Sequence, residues 1–234
     1  MFIIPCKYTQ TSAHILNLVS QIRSHHPNEK IVVVDSDSTD KSYFNEISKH
    51  NVIIEDVANK YWMIGAYWHG FKRFPNEDYY FFLHDSVKVK ANLDYLKSKD
   101  IFMLAHFNRA VSPSFTRWND RVLKETTLDP KYVTTNGLGC YGPIFGCKRH
   151  VMQRLQDAGA DKLLPSNKGE TGIMEGTFGL FFEALGYDVT QCSLYGDILQ
   201  LESPGGKSGP FPHNTSWQFP IEKFYCSLSD QGRT

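Results

Sequence analysis

The chain has 234 residues, 41% of them hydrophobic and 14% aromatic, enough for one large or two small domains around a buried core. Lys+Arg and Asp+Glu each number 25, so the basic excess expected of a protein that binds nucleic acid by counterion release is missing. No apolar run reaches the ~20 residues of a membrane helix, and Met1–Gln10 lacks the charged start and long apolar centre of a signal peptide.

Phe2-Ile3-Ile4 is an apolar run ended by Pro5, which predicts a first strand. A helix over Ser12 to Ile22 puts Ile15, Leu18, Val19 and Ile22 on one face, with Thr11 or Ser12 as its cap. Ile31–Val34, closed by Asp35, is a second, buried strand. A polar loop from Asp35 to Asp40 leads into a helix ending near Ser48, and Val52–Ile54 is a third strand. Met63 to Phe74 reads as a helix stopped by Pro75-Asn76. Tyr79–Leu83, apolar at every position, is a strand covered on both faces. Residues 101–107 add another strand. Strand and helix thus alternate over the first 90 or so residues, which predicts an α/β fold with a doubly wound, mostly parallel sheet, helices on both faces and right-handed crossovers.

From Asn108 to Gly146 the pattern breaks down, and long irregular segments in compact domains are often functional. Helices are predicted at Arg149–Ala158, ended by Gly159, and at Glu175–Leu185, with Gly186 as the residue after the cap. The tail from Ser203, rich in Gly, Pro and Ser, reads as an arm or lid. The expected organisation is a single domain over 1–234, divided at about 107 and about 202. Cys6, Cys140, Cys147, Cys192 and Cys226 are odd in number, widely spaced and form no CxxC pair. They support neither a zinc site nor a disulfide framework and predict a reduced, cytoplasmic setting.

In open α/β sheets ligands bind at the carboxyl ends of the strands, and three polar clusters fall there. Asp35 suits recognition of a base or ribose, since its carboxylate accepts from ring N–H or hydroxyl groups; capping the following turn is the alternative. Pro5-Cys6-Lys7-Tyr8 lies at the same edge, where Tyr8 offers a ring for stacking. His84-Asp85-Ser86 follows the central strand. Asp85 is a natural oxygen ligand for a divalent cation bridging a diphosphate, with His84 as a second ligand or a donor to phosphate. Glu175, read in the first turn of its helix, is either stabilised by the macrodipole or a general base toward a hydroxyl. His213, on the C-terminal arm, is a candidate second metal ligand. Trp118, Tyr141 and Trp217 offer faces for sugar stacking, with ordinary packing as the alternative.

The order of these motifs, IVVVDSDSTD, YYFFLHDS, GPIFGCKRHVMQRL and MEGTFGLFFEALGYDV, resembles that of GT-A fold glycosyltransferases, especially the family-2-like inverting group. The resemblance covers about residues 2–190. It implies that residues 1–107 bind a nucleotide sugar, that residues 108–202 bind the acceptor, and that Glu175 stands where a catalytic Asp is usual. It makes Asp85 the ligand of Mn²⁺ or Mg²⁺, for which His213 on the arm is the candidate second ligand, and puts Gly146 on the acceptor side, where Trp118 is a candidate stacking face. The implied donor-binding set is Pro5, Cys6, Tyr8, Asp35, Ala66, His84 and Asp85, and the implied donor is a UDP- or GDP-sugar. The chain departs from the pattern in carrying His84 for an acidic residue, Glu for Asp at 175, and Phe181-Phe182 near a usual Arg. The expected activity is inverting glycosyl transfer to a carbohydrate hydroxyl. Two rivals keep the same sheet. A sugar-1-phosphate nucleotidyltransferase would carry a glycine in the loop Pro5–Thr9, which has none, and a non-catalytic carbohydrate-binding module would need no base.

Overall fold

The computed structural model describes residues 1–10, 13–134, 136–198 and 220–223. The Thr11/Ser12 cap, His213 and Trp217 lie outside them. Through Tyr79, strand and helix alternate: β1 (Phe2–Cys6), α1 (Ala13–His25), β2 (Ile31–Ser36), α2 (Tyr43–Ser48), β3 (Ile53–Val57), α3 (Trp62–Arg73) and β4 (Tyr79–Phe82). There follow β5 (Val87–Val89), β6 (Ile101–Met103), β7 (His106–Asn108), α4 (Asn119–Glu125), β8 (Leu138–Cys140) and β9 (Phe145–Lys148). The chain then forms α5 (Arg149–Asp157), α6 (Lys168–Ala184), α7 (Val189–Cys192) and β10 (Ile221–Lys223). No helix among the described residues is long and apolar enough to cross a membrane.

The α/β class read from the sequence is the one observed. Six strands form one sheet in the order β3-β2-β1-β4-β9-β6. The first four run parallel, and β9 is antiparallel to both its neighbours. β4 is central, and its residues divide between the faces. Tyr80 and Phe82 join a cluster with α3, α5 and α6, while Tyr79, Phe81 and Leu83 join a second cluster with α1 and α2. This explains why the run does not alternate: both faces are covered, so every position is apolar.

Four details differ from the sequence reading. β1 continues through Pro5 to Cys6, because β4 pairs only with Phe2 and Ile3, so no neighbour on that side calls for the N–H that Pro5 lacks. Residues 101–107 are two strands: β6 lies in the main sheet, and β7 pairs with β8 in a separate ribbon. β9 lies at the end of the stretch read as irregular. It is short and carries Gly146, which hid it, yet it fills the place between β4 and β6.

α6 starts seven residues before the sequence reading had it. Asn167 caps it, its side-chain oxygen accepting from the Glu170 N–H at 3.2 Å, while Glu170 reaches back to the Ser166 N–H at 2.6 Å. This is a capping-box arrangement, obscured in sequence by Gly169 and Gly172. The glycine ending is as expected: Gly186 is left-handed at φ 90° and its N–H returns to the Glu183 carbonyl at 2.9 Å.

α6 lies close against β8. A Cβ on Gly179 would stand 1.9 Å from the Leu138 carbonyl oxygen, whereas one on Gly172 would meet nothing within 4 Å. Gly179→Ala therefore forces α6 off the ribbon. It should lower the melting temperature by about 4–10 °C, for an overpacking penalty of roughly 2–3 kcal/mol. Gly172→Ala, with open space and better helix propensity, should raise it by about 1–3 °C. Calorimetry of the two variants checks both.

Candidate active site

The strand order reverses between β1 and β4, the kind of switch point at which open α/β sheets bind ligands. A cavity of about 480 Å³ opens there, within the size range of small-molecule and cofactor sites. Its walls come from four strand ends and one helix. β1 gives Pro5, Cys6 and Lys7; β2 gives Ser36 and Asp37; the β3–α3 connection gives Ala58, Asn59, Lys60, Trp62 and Met63; β4 gives His84 and Asp85; α6 gives Thr171.

Beneath this cavity two buried carboxylates are held by tyrosine hydroxyls. Tyr43 donates to Asp35 Oδ2 and Tyr8 donates to Asp85 Oδ2. The Ser38 N–H donates to Asp35 Oδ1 at 2.8 Å, the Tyr8 N–H donates to Ser38 Oγ at 2.8 Å, and the Thr39 N–H returns to the Tyr8 carbonyl at 2.9 Å. These bonds tie the loops after β1, β2 and β4 into one floor. A carboxylate taken from water needs such donors.

The network reassigns two expected roles. Tyr8 is 1% exposed and its ring meets Tyr43 edge-on at 5.2 Å, so it offers no stacking face; it holds Asp85 instead. Asp35 is fully buried, with both carboxylate oxygens on the chain's own donors, and the cavity-facing carboxylate of its loop is Asp37.

Three other expected residues lie elsewhere for packing reasons. Ala66 is fully buried on the core face of α3. Gly146 sits mid-strand in β9, where a Cβ would be 2.3 Å from the Phe102 ring; it is glycine to admit that ring rather than to line an acceptor cleft. Trp118 is 5% exposed, and the Arg121 guanidinium covers its ring at 4.4 Å, which removes the sugar-stacking face. Tyr141 is also buried. Pro5, Cys6, His84 and Asp85 line the cavity.

The wall that the sequence reading missed is the β3–α3 connection. Trp62 has φ 49°, a left-handed value that a bulky residue rarely adopts, and Asp37 has φ 65°. Such conformations persist where surrounding bonds over-determine them. Here the Asn59 side-chain amide donates to the Trp62 carbonyl at 2.6 Å and to Ser36 Oγ at 2.9 Å, while its oxygen accepts from the Tyr61 N–H at 2.9 Å. No side chain caps α3, and its first two residues, Trp62 and Met63, line the cavity. Lys7 and Lys60 are exposed on the same walls.

Glu175 lies one turn along α6 from the cavity-lining Thr171, and the Gly142 N–H donates to its Oε2 at 3.0 Å. Gly142 has φ 62°, a conformation glycine reaches at no steric cost. Burial raises the Glu175 carboxyl to about 7, against the opposing pull of the Gly142 N–H and the Lys223 ammonium. Glu175 is the eighth residue of α6, so desolvation, rather than the helix dipole at its first turn, sets its acidity.

His84 is held on both nitrogens. Nε2 is 2.8 Å from Met63 Sδ, and Nδ1 is 3.2 Å from Lys223 Nζ. An ammonium can only donate, so Nδ1 presents its lone pair and the ring hydrogen sits on Nε2. Lys223 reaches this point because β10 pairs antiparallel with β5, setting Lys223 opposite Val87. It also donates to Ser86 Oγ at 2.8 Å.

His213, the expected partner of Asp85 at a divalent cation, lies outside the described residues. Among the described residues no group of three His, Cys, Asp or Glu side chains could hold a metal ion. The His84 nitrogens face a thioether and an ammonium, Asp85 Oδ2 accepts from Tyr8, and a cation already stands beside the turn.

No protein-family model matches the chain. No curated protein sequence matches it. Among solved structures it is similar to residues 1–349 of TarS from S. aureus, at 15% identity and a TM-score of 0.43, over 76% of this chain and 55% of that one. It is similar to GalNAc-T7 with UDP, GalNAc and Mn²⁺, at 12% and 0.49, over 75% and 40%. A third is glucosyl-3-phosphoglycerate synthase from Mycobacterium tuberculosis with Mn²⁺ and UDP-glucose, at 12% and 0.39, over 80% and 79%. The chain spans about half or less of the first two. All three TM-scores lie below 0.5, a likeness that carries no functional weight.

A glutamate whose acidity is weakened on folding binds more protons folded than unfolded between pH 4.5 and about 7, so its ionisation erodes stability as pH rises through that window. Glu175→Gln removes the penalty. Its melting temperature relative to wild type should therefore climb by roughly 2–6 °C between pH 5 and pH 8, as read by differential scanning fluorimetry. A constant difference across that range would contradict the desolvated carboxyl.

Proposed function

We propose that this chain is a GT-A-type glycosyltransferase that moves a sugar from a nucleoside-diphosphate sugar to an acceptor hydroxyl, with inversion. The observation that carries the reading is Glu175: a carboxylate titrating near 7 beside a cavity at the sheet's switch point. A general base works best when its pKa is close to the working pH.

The cavity walls suit the rest of such a donor. Trp62 supplies an aromatic face for a base, and Asn59 and Asp37 supply polar groups beside it. Lys7, Lys60 and the uncapped start of α3 supply positive charge and N–H donors for a diphosphate. The sugar then projects from the His84-Asp85-Ser86 turn toward Glu175. The acceptor oxygen attacks the anomeric carbon as Glu175 takes its proton, and the bond to the diphosphate breaks with its electron pair leaving on the phosphate oxygen. One displacement by one base inverts the configuration.

Three results are expected. Glu175→Gln should lower transfer by about 10²–10⁴-fold while leaving nucleotide affinity within about twofold. In wild type, kcat/KM should rise with pH to a plateau above about 7, because only the ionised carboxylate accepts a proton; the glutamine variant should lose that limb. Trp62→Ala should weaken UDP or GDP binding by roughly tenfold or more, the scale of a lost base-stacking contact. Equal affinity by calorimetry would remove Trp62 from the base site.

A further inference from the structure

An ammonium stands beside the turn that follows β4. Lys223 Nζ donates to Ser86 Oγ at 2.8 Å and faces His84 Nδ1 at 3.2 Å, and its charge is felt at Glu175. It therefore stands at the strand-end turn, within electrostatic reach of Glu175. β10 delivers it rigidly. Glu222 is held on one side of the strand by Lys88 at 3.5 Å and Lys90 at 3.0 Å, and successive strand residues point to opposite faces. Lys223 shares the face of Ile221, which is fully buried in the second cluster.

The same contacts occupy His84, the expected second ligand or phosphate donor. The imidazole lone pair of His84 is directed at the ammonium, and its N–H at the Met63 sulfur. Asp85, the expected ligand, is buried and fixed by the Tyr8 hydroxyl. A second cation brought to the turn would meet the Lys223 charge at close range in a partly desolvated site, where like-charge repulsion is strong.

We propose that Lys223 is the residue that neutralises the charge developing on the departing diphosphate, at the position where a bound metal was expected. The proposal rests on the nucleotide-sugar reading above. In the transfer step the bond between the anomeric carbon and the diphosphate oxygen breaks, and its electron pair stays on that oxygen. The acceptor oxygen forms the new bond, its proton passes to Glu175, and Lys223 keeps its own proton while donating N–H bonds to the phosphate. No metal enters the balance. The divergence of this chain at His84 then has a physical reason, since an acidic residue there would pair with Lys223 and quench its charge, whereas a neutral imidazole orients it.

Titration calorimetry of the full chain tests this, with UDP and GDP as probes, uridine and guanosine as controls, and each run made in EDTA and in MnCl₂. Wild type should bind at least one diphosphate in EDTA within about threefold of its affinity in MnCl₂. Lys223→Met and Lys223→Gln should each weaken that binding by roughly 10–100-fold, the scale of a lost charge-assisted hydrogen bond, while Lys223→Arg stays within about fivefold. Nucleoside binding should not change in any variant. Melting curves identify any variant that fails to fold, and the EDTA comparison on wild type stands without the variants. Binding that EDTA abolishes and Mn²⁺ restores, in Lys223→Met as in wild type, overturns the assignment of Lys223 alone. Absence of UDP and GDP binding to wild type in both conditions overturns the nucleotide-sugar reading, and the Lys223 proposal with it.

Discussion

Two carboxylates buried at the carboxyl edge of the sheet set the shape of this site. Asp35 lies one residue before the end of β2 and Asp85 follows β4, and both lie out of water. Each is matched by a tyrosine hydroxyl, Tyr43 for the first and Tyr8 for the second. An unmatched carboxylate at such a depth would neutralise or unfold its loop. The consequence is geometric: Tyr8 belongs to the loop after β1 and reaches the loop after β4, while its backbone is pinned to Ser38 and Thr39 in the loop after β2. Three strand ends that could move separately become one surface, and the cavity sits on it.

That surface divides the work between hidden and presented groups. Asp35, Tyr8 and Tyr43 are structural and face inward. Asp37, Asn59, Lys60 and Trp62 face the cavity and sit on connections with left-handed backbone at two points. On the far side Glu175 is presented by α6, whose approach depends on Gly179 lying against the Leu138 carbonyl. Glu175 is thus placed by packing about one helical turn from the cavity-lining Thr171, and its acidity is set by the burial that packing brings.

The fold was largely legible because it is written in local pattern. The β-branched run Ile31–Val34 and the helical face Ile15, Leu18, Val19 and Ile22 occur where the periodicity puts them. Asp85 and Glu175 were legible because carboxylates beside strand ends and at a helix face are chemically conspicuous. Tyr8 and Asp35 read as ligand-binding because the sequence does not reveal that Tyr8 pairs with Asp85 and Asp35 with Tyr43. Ala66, Gly146 and Trp118 were misjudged because nearness in sequence to a motif does not fix which face a residue presents. Trp62 depends on a strained turn, and Lys223 on a pairing between strands more than 130 residues apart in the chain. No local pattern carries either, which is why the cation at the His84 turn came only with the tertiary structure.

The central claim is that the cavity between β1 and β4 takes a nucleoside-diphosphate sugar. Thermal-shift measurement across UDP-, GDP-, CDP- and dTDP-sugars, with the free sugars alongside, addresses it most directly. A ligand that binds only the folded chain stabilises it by about 2.7 kcal/mol at a hundred times its Kd. At least one nucleotide sugar should raise the midpoint by roughly 5–10 °C at that excess, and its free sugar should not. An unchanged midpoint with every nucleotide sugar would contradict the account.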